Sequence, residues 1–247
     1  MQVTTLGIVP VKGMQWTSVD ALDLSAGGAA GDRAFFVVEA DGRLLNTERN
    51  PALMRVRPAW DAATRTLALG FPDGGHAHDV VEPAEPLEVE MYDGRRVAGH
   101  AADGVLAEAL SEWLCRPVRL FERDPGTYGA DDAPLSLVSE ASVATLGADP
   151  RRYRMNVTVN GCAAWGEEAL RGEVRLGGAV LRMDDPIGRC VVINRDPETA
   201  ETDAPLLKTL ATLRGKRQVT LGVWAQVTEP GRVRVGDELV ATGASDR

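Results

Sequence analysis

The sequence predicts a mainly β protein with a few helices, a β-rich α+β chain. Three observations carry that prediction. Asp-Gly or Asn-Gly pairs recur at Asp41-Gly42, Asp73-Gly74, Asp93-Gly94 and Asn160-Gly161, and such pairs tolerate the positive φ that tight hairpin turns require. The stretches around two of them, AFFVVEADGRLLNT and LEVEMYDGRRVAGH, are rich in valine, leucine and aromatic residues. GEVRLGGAVLRM and GRVRVGDELVAT alternate apolar with polar residues, which is the period of a half-buried strand.

Helices occupy less of the chain. Asp103 stands where it would cap GVLAEALSEWL, Ser139 where it would cap EASVATLG, and Asp203 where it would cap APLLKTLATLR, with Pro205 in the first turn. PVRLF reads as a strand. The stretch ERDPGTYGADDAP, residues 122–134, combines glycine, proline and acidic residues and reads either as a linker or as an active-site loop. A division near residue 118 follows, with one domain over 1–118 and a second over 119–247. No fixed-period repeat is present.

Composition excludes several classes of function. A chain of 247 residues can bury an adequate core. Its net charge of -9 repels nucleic-acid phosphates, and no basic run is interleaved with aromatics, so nucleic acid is not an expected partner. The N-terminus lacks a charged segment followed by a long apolar run, and no stretch approaches about eighteen consecutive apolar residues. No membrane association is expected, and the chain reads as soluble and cytoplasmic. Cys115, Cys162 and Cys190 form no close pair and no Cys-x-x-Cys, against a disulfide framework, a zinc site or an iron–sulfur site. His76 and His78 sit in the turn-like GGHAHD, and with His100 they offer no recognisable metal spacing. The G-x-S-x-G, P-loop and G-x-G-x-x-G patterns are missing too.

Cys190 is the most informative residue. It follows Arg189, and DDPIG reads as a loop feeding a strand VVINR. A thiol at such a junction beside a guanidinium suits a thiolate, as nucleophile or metal ligand. The plain alternative is a small buried hydrophobe, which is the expectation for Cys115 and Cys162. PVKG places Lys12 after a short apolar run, GDRAFF places Arg33 at a strand entrance, and YRMNVTVNG places Arg154 and Asn156 at the start of another strand. Gathered together, these groups would suit one anionic ligand, the arginines on phosphate and the amide on a heterocycle edge. Scattered surface arginines are the alternative.

In order along the chain, PVKG, GDRAFFVVEADGRLLNTERNP, APLSLVSEAS, YRMNVTVNG and GRCVVINRDPETA resemble the MOSC family, named for the C-terminal domain of molybdenum cofactor sulfurase. The N-terminal half is similar to the β-barrel domain that commonly precedes it, and the plan resembles that of the mitochondrial amidoxime-reducing components and their bacterial relatives. The resemblance implies a β-barrel-like domain packed on a MOSC β-barrel domain, a molybdenum cofactor (molybdenum–molybdopterin), and reduction of N-hydroxylated or N-oxide compounds. By matching position, Cys190 would be the metal ligand and catalytic residue. Lys12, Gly13, Arg33, Asp131, Arg154, Asn156, Gly188 and Arg189 would bind the cofactor. Electrons would come from a separate ferredoxin or flavin-reductase type of partner, since the chain lacks four clustered cysteines. Met155, Ala133, Gly13 and Gly188 depart from the family's usual proline and hydroxyl residues, each removing some rigidity or a hydrogen bond of about 1 kcal/mol. Two other functions use the same features: a sulfur or cofactor carrier with Cys190 as a persulfide site, and a structural barrel with an inert cysteine.

Overall fold

The computed structural model describes residues 1–45, 47–215 and 219–241; Asn46 and Thr242, at the ends of two of the predicted strand segments, lie outside them. The alternating segments form strands that assemble into four sheets, none of which closes on itself among the described residues. In spatial order the largest runs Leu239–Ala241, Glu173–Leu176, Ala179–Gly188, Thr220–Glu229, Leu135–Ser139, Val157–Asn160, Gln2–Ile8 and Thr17–Val19. Its neighbours are antiparallel except for Leu135–Ser139 against Val157–Asn160. A second sheet orders Phe35–Glu39, Val118–Arg123, Arg96–Ala101 and Pro86–Glu90. Two three-stranded sheets hold Gly231–Arg234, Ala21–Ser25 and Gly28–Ala29, and Arg57–Asp61, Thr66–Gly70 and His76–Val80.

Packing does not follow the linear order of the two halves. Gln2–Ile8 pairs with Val157–Asn160, and Ala21–Ser25 pairs with Gly231–Arg234. Val3, Leu6, Leu22, Leu24 and Ala29 therefore share one core with Leu137, Val157, Leu181 and Val223. Residues from Val11 to Leu120 build a second core around Phe35, Leu53, Leu67 and Leu110. A third, with Tyr153, Met155, Ile187, Leu210 and Trp224, is drawn entirely from the C-terminal half.

The predicted hairpins form around Asp73-Gly74 and Asp93-Gly94, a turn at Asp41-Gly42 brings Val38 against Leu44, and GEVRLGGAVLRM pairs Leu176 with Ala179. Asn160-Gly161 makes no hairpin, because Val157–Asn160 pairs with Gln2–Ile8 and Leu135–Ser139 instead of with the strand that follows it. The two strands of GRVRVGDELVAT, by contrast, join different sheets. His76 and His78 lie in a paired strand rather than in a turn.

Three α-helices are present among the described residues: α1 (Val105–Trp113), α2 (Glu140–Ala144) and α3 (Leu206–Arg214). Ser139 caps α2 as expected, its Oγ accepting the Ser142 N–H at 3.1 Å. The other two caps need correcting. Gly104, at φ 118°, opens α1, and Asp103 accepts from Arg119 Nε at 2.8 Å instead. Pro205 opens α3, where Asn194 Oδ1 accepts the Leu207 N–H at 2.9 Å, and Asp203 pairs with Arg152. No helix among the described residues is long and apolar enough to cross a membrane.

Around Cys190 the structure inverts the local expectation. DDPIG belongs to the strand Ala179–Gly188, kept in the sheet by Thr220–Glu229 through register shifts near Pro186, where a missing N–H is tolerated. VVIN is a short 3-10 helix, Val191–Asn194, which turns Val192 and Ile193 into apolar clusters. Nor are the other cysteines buried: Cys115 is exposed at a left-handed turn and Cys162 is half-buried.

Candidate cofactor pocket

Where the two halves meet, a cavity of about 140 Å³ is walled by Arg33, by Asp131 and Asp132, by Arg152 to Met155, by Ile187 to Cys190, and by Trp224. Each wall has a local cause. Arg33 precedes the strand Phe35–Glu39, Arg154 ends the 3-10 helix Pro150–Tyr153, and Cys190 follows the end of the strand Ala179–Gly188. Arg33 and Arg154 hold left-handed φ values of 45° and 49°. For a residue other than glycine this conformation costs about 1–3 kcal/mol and concentrates at functional sites.

The four expected cations spend their charge differently. Lys12 does not line the cavity but is tied to its wall, its Nζ donating to Asp131 Oδ1 at 2.6 Å and to the Gly129 carbonyl at 2.9 Å. Burial, helped by Arg33, pulls its pKa down against the pull of Asp131. Burial raises the Asp131 carboxyl, but Lys12, Arg33 and Arg95 together hold it below the usual range. Arg33 pairs with Asp32 at 2.5 Å and donates to the Arg154 carbonyl at 3.3 Å. Arg189 is a clamp: its guanidinium donates to the Leu221 carbonyl at 2.7 and 3.0 Å, to the Tyr153 carbonyl at 3.2 Å, and to Met155 Sδ at 2.8 Å. No carboxylate among the described residues pairs with it, and burial drags it down to about 10, with Cys190 pulling the other way.

Arg154 is the exception. Among the described residues its guanidinium makes no hydrogen bond or ion pair. Burial, with Arg33 nearby, lowers it to about 10, so it is still protonated at neutral pH. A protein of net charge -9 thus keeps a cation without a bonded partner among the described residues in the wall of a cavity it shares with Asp131. Such a group has strong reason to take an anion.

The structure brings together Arg33, Asp131, Arg154, Gly188, Arg189 and Cys190. Gly13 and Asn156 stand back. The Asn156 amide is buried and occupied, its Oδ1 accepting from the Ser136 N–H at 3.1 Å and Ser136 Oγ at 2.9 Å, its Nδ2 donating to the Gly7 carbonyl at 3.2 Å. Gly13, at φ 90°, leaves no room for a Cβ beside Thr47. Cys190 is free and exposed. Met155, which departs from the family's usual proline, lends its thioether to Arg189 and its carbonyl to Trp16 Nε1 at 2.7 Å.

Several wall residues escaped the sequence reading, among them Asp132, Arg152, Tyr153, Ile187 and Trp224. Arg152 makes a two-pronged bond to Asp203 at 2.8 and 2.6 Å, and Trp224 Nε1 donates to Asp132 at 3.2 Å. Tyr153 keeps a buried hydroxyl without a partner among the described residues, and burial pushes it up to about 12. The one signal for any of these was the basic and aromatic cluster RRYRMN around Arg154.

Fold and pocket define a class: a two-part β protein whose halves close over a cation-lined cavity beside an accessible cysteine. Comparison with known families names it. Residues 1–118 match the MOSC N-terminal beta barrel domain and residues 124–240 match the MOSC domain, so the chain belongs to the MOSC-domain family. Mitochondrial amidoxime-reducing component 1 of Homo sapiens is 23% identical, over 98% of this chain and 83% of that protein. Its Danio rerio counterpart is 26% identical, over 96% and 83%. A molybdenum cofactor sulfurase of Caenorhabditis briggsae is 26% identical over 93% of this chain, which spans only 34% of that protein. The crystal structure of the YuaD protein from Bacillus subtilis superposes with a TM-score of 0.46 at 17% identity, covering 96% of this chain and 93% of that one.

Proposed function

We propose that this protein is a molybdenum-cofactor-binding reductase of N-hydroxylated or N-oxide compounds. One observation carries the proposal: the unpaired Arg154 guanidinium shares a small cavity with the exposed thiol of Cys190. The donor set fits the cofactor, because arginine forks hold phosphate and pterin oxygens while a thiolate is a soft ligand suited to molybdenum. When bound, the cofactor supplies a two-electron redox centre for removing oxygen from nitrogen.

The chain's own residues hold and orient. Arg154 and Arg33 grip the anionic end, and Lys12 adds positive charge from behind Asp131 while fixing it. Arg189 ties the segment Gly188–Cys190 to the strand Thr220–Glu229 through the Leu221 carbonyl, which sets where the thiol points. Asn156 acts one layer behind, joining Ser136 to Gly7 beneath the Arg154 turn. Electrons come from a separate ferredoxin or flavin-reductase type of donor, and the protein works in the cytoplasm.

Protein from a molybdate-replete, cofactor-competent host should contain about one molybdenum per chain, measured by mass spectrometry, and pterin released by oxidation. Arg154→Ala should lower pterin occupancy, since a charge-assisted hydrogen bond contributes about 1.5–3 kcal/mol, or roughly ten- to a hundredfold in affinity. Arg154→Lys should recover part of it. Equal pterin in parent and Arg154→Ala would refute the assignment of Arg154, and absence of metal and pterin from the parent would refute the reductase. The exposure of Cys190 favours one other role, a persulfide carrier, for which cyanide-labile sulfur on metal-free protein is the mark.

A further inference from the structure

The loop that carries Asp131 into the cavity wall is pinned rather than free. Every backbone carbonyl from Thr127 to Asp131 accepts a hydrogen bond from a cationic side chain: Arg123 donates to Thr127, Arg95 to Tyr128 at 2.9 Å, Lys12 to Gly129 at 2.9 Å, and Arg95 again to Ala130 at 2.7 Å and Asp131 at 3.3 Å. Arg95 and Lys12 come from the N-terminal half, and Arg123 ends a strand of the four-stranded sheet that Phe35–Glu39 and Arg96–Ala101 share. Gly129 leaves no room for a Cβ against the Arg33 carbonyl and the Phe36 ring, so the loop also lies directly on the Arg33 turn.

Arg95 makes three of these bonds, and its guanidinium lies 4.0 Å from the Tyr128 ring centre. Its own position is fixed by a tight turn, in which the Met91 N–H donates to the Arg95 carbonyl at 2.8 Å and the Gly94 N–H to the Met91 carbonyl at 3.0 Å. Asp93 Oδ2 stands 3.6 Å from Arg95 Nε, beyond hydrogen-bond reach, so the donors of the fork are spent on the loop. A planar guanidinium can span several carbonyls of a bent segment at once, which a point-like ammonium cannot. Asp131 is thereby held at two places, its carbonyl by Arg95 and its Oδ1 by Lys12 at 2.6 Å, while its Oδ2 makes no hydrogen bond among the described residues.

We propose that Arg95 is a positioning residue of the pocket: from outside the cavity it holds residues 128–131 in the shape that presents Asp131 to the cofactor. The proposal rests on the cofactor-binding function above and extends it to a residue that no wall contains.

Three variants from the molybdate-replete host test this: Arg95→Ala, Arg95→Lys, and Arg65→Ala as the control. Arg65 also ties a carbonyl and a carboxylate, at Val81 and Glu122, but bonds to no residue of the cavity wall. Two quantities are measured, the rate at which pterin leaves the protein on dilution and the rate of chymotryptic cleavage after Tyr128, located by mass spectrometry. Arg95→Ala should lose pterin about three- to tenfold faster than the parent and be cut several-fold faster, with Arg95→Lys between the two and Arg65→Ala like the parent on both counts. Unchanged pterin release in Arg95→Ala, an equal acceleration in Arg65→Ala, or cleavage after Tyr128 no faster in Arg95→Ala than in the parent would overturn the role of Arg95 and leave the cofactor-binding function standing. A parent that carries no pterin would overturn that function, and this proposal with it.

Discussion

Arg154 and Arg189 lie in the same cavity wall, and burial lowers both to about 10. What separates them is the partner. Arg189 is saturated by two carbonyls and a thioether, so it behaves as a structural clamp, whereas Arg154 keeps its donors for something the chain does not contain. Cys190 is unlike either. It is exposed and packs in no apolar cluster, so its side chain contributes little to the fold. Cys190→Ser should therefore leave the melting temperature within about 2 °C of the parent, as surface substitutions usually stay within about 0.5 kcal/mol. Molybdenum content and reductase activity should fall sharply in the same variant. A drop of many degrees with activity retained would mark a packing residue.

Among the elements, the helix starts divide cleanly. Ser139 is a true cap and more, because its Oγ also meets Ser142 Oγ at 2.8 Å, which reaches Glu167 Oε2 at 2.9 Å and the Trp165 N–H at 2.7 Å. All three side chains of this chain of bonds are buried. Ser139→Ala should cost about 1–3 kcal/mol in urea unfolding, a cap plus an unsatisfied buried partner. Asp103→Ala should cost no more than about 0.5 kcal/mol, because its contact with Arg119 is an exposed ion pair and not a cap. Equal losses would mean that Ser139 acts as an ordinary surface serine.

For the whole molecule, the segment after Cys190 fastens the halves together. Glu198 accepts from Arg151 Nη1 at 2.5 Å on one side and Arg57 Nη2 at 2.5 Å on the other, while Met54 of the N-terminal half packs with Val192 and Ala200. Arg151, then Arg57, hold the Glu198 carboxyl below its ordinary 4.5. A lowered carboxyl contributes stability that is complete above the ordinary value and is lost as pH falls through the lowered one. The parent's melting temperature should therefore decline more steeply from pH 5 to pH 3 than that of Glu198→Gln. The difference should shrink in high salt because these side chains are partly exposed. Parallel profiles would show that Glu198 does not join the halves.

The β class, the hairpins at Asp73-Gly74 and Asp93-Gly94, and the Ser139 cap were legible in the sequence because each depends on residues close together in the chain. The MOSC family was legible through motifs that survive as short strings. Tertiary structure decided the rest. DDPIG became strand because a partner strand thirty residues away supplied its ladder, and Asp103 and Asp203 left their helices for arginines elsewhere in the fold. That Arg33 and Arg154 meet and that Asn156 is spent on Ser136 and Gly7 depend on contacts between residues far apart in the chain. Local pattern determines which conformation a segment favours; only the closed fold determines which polar groups find partners and which, like Arg154, are left facing a cavity.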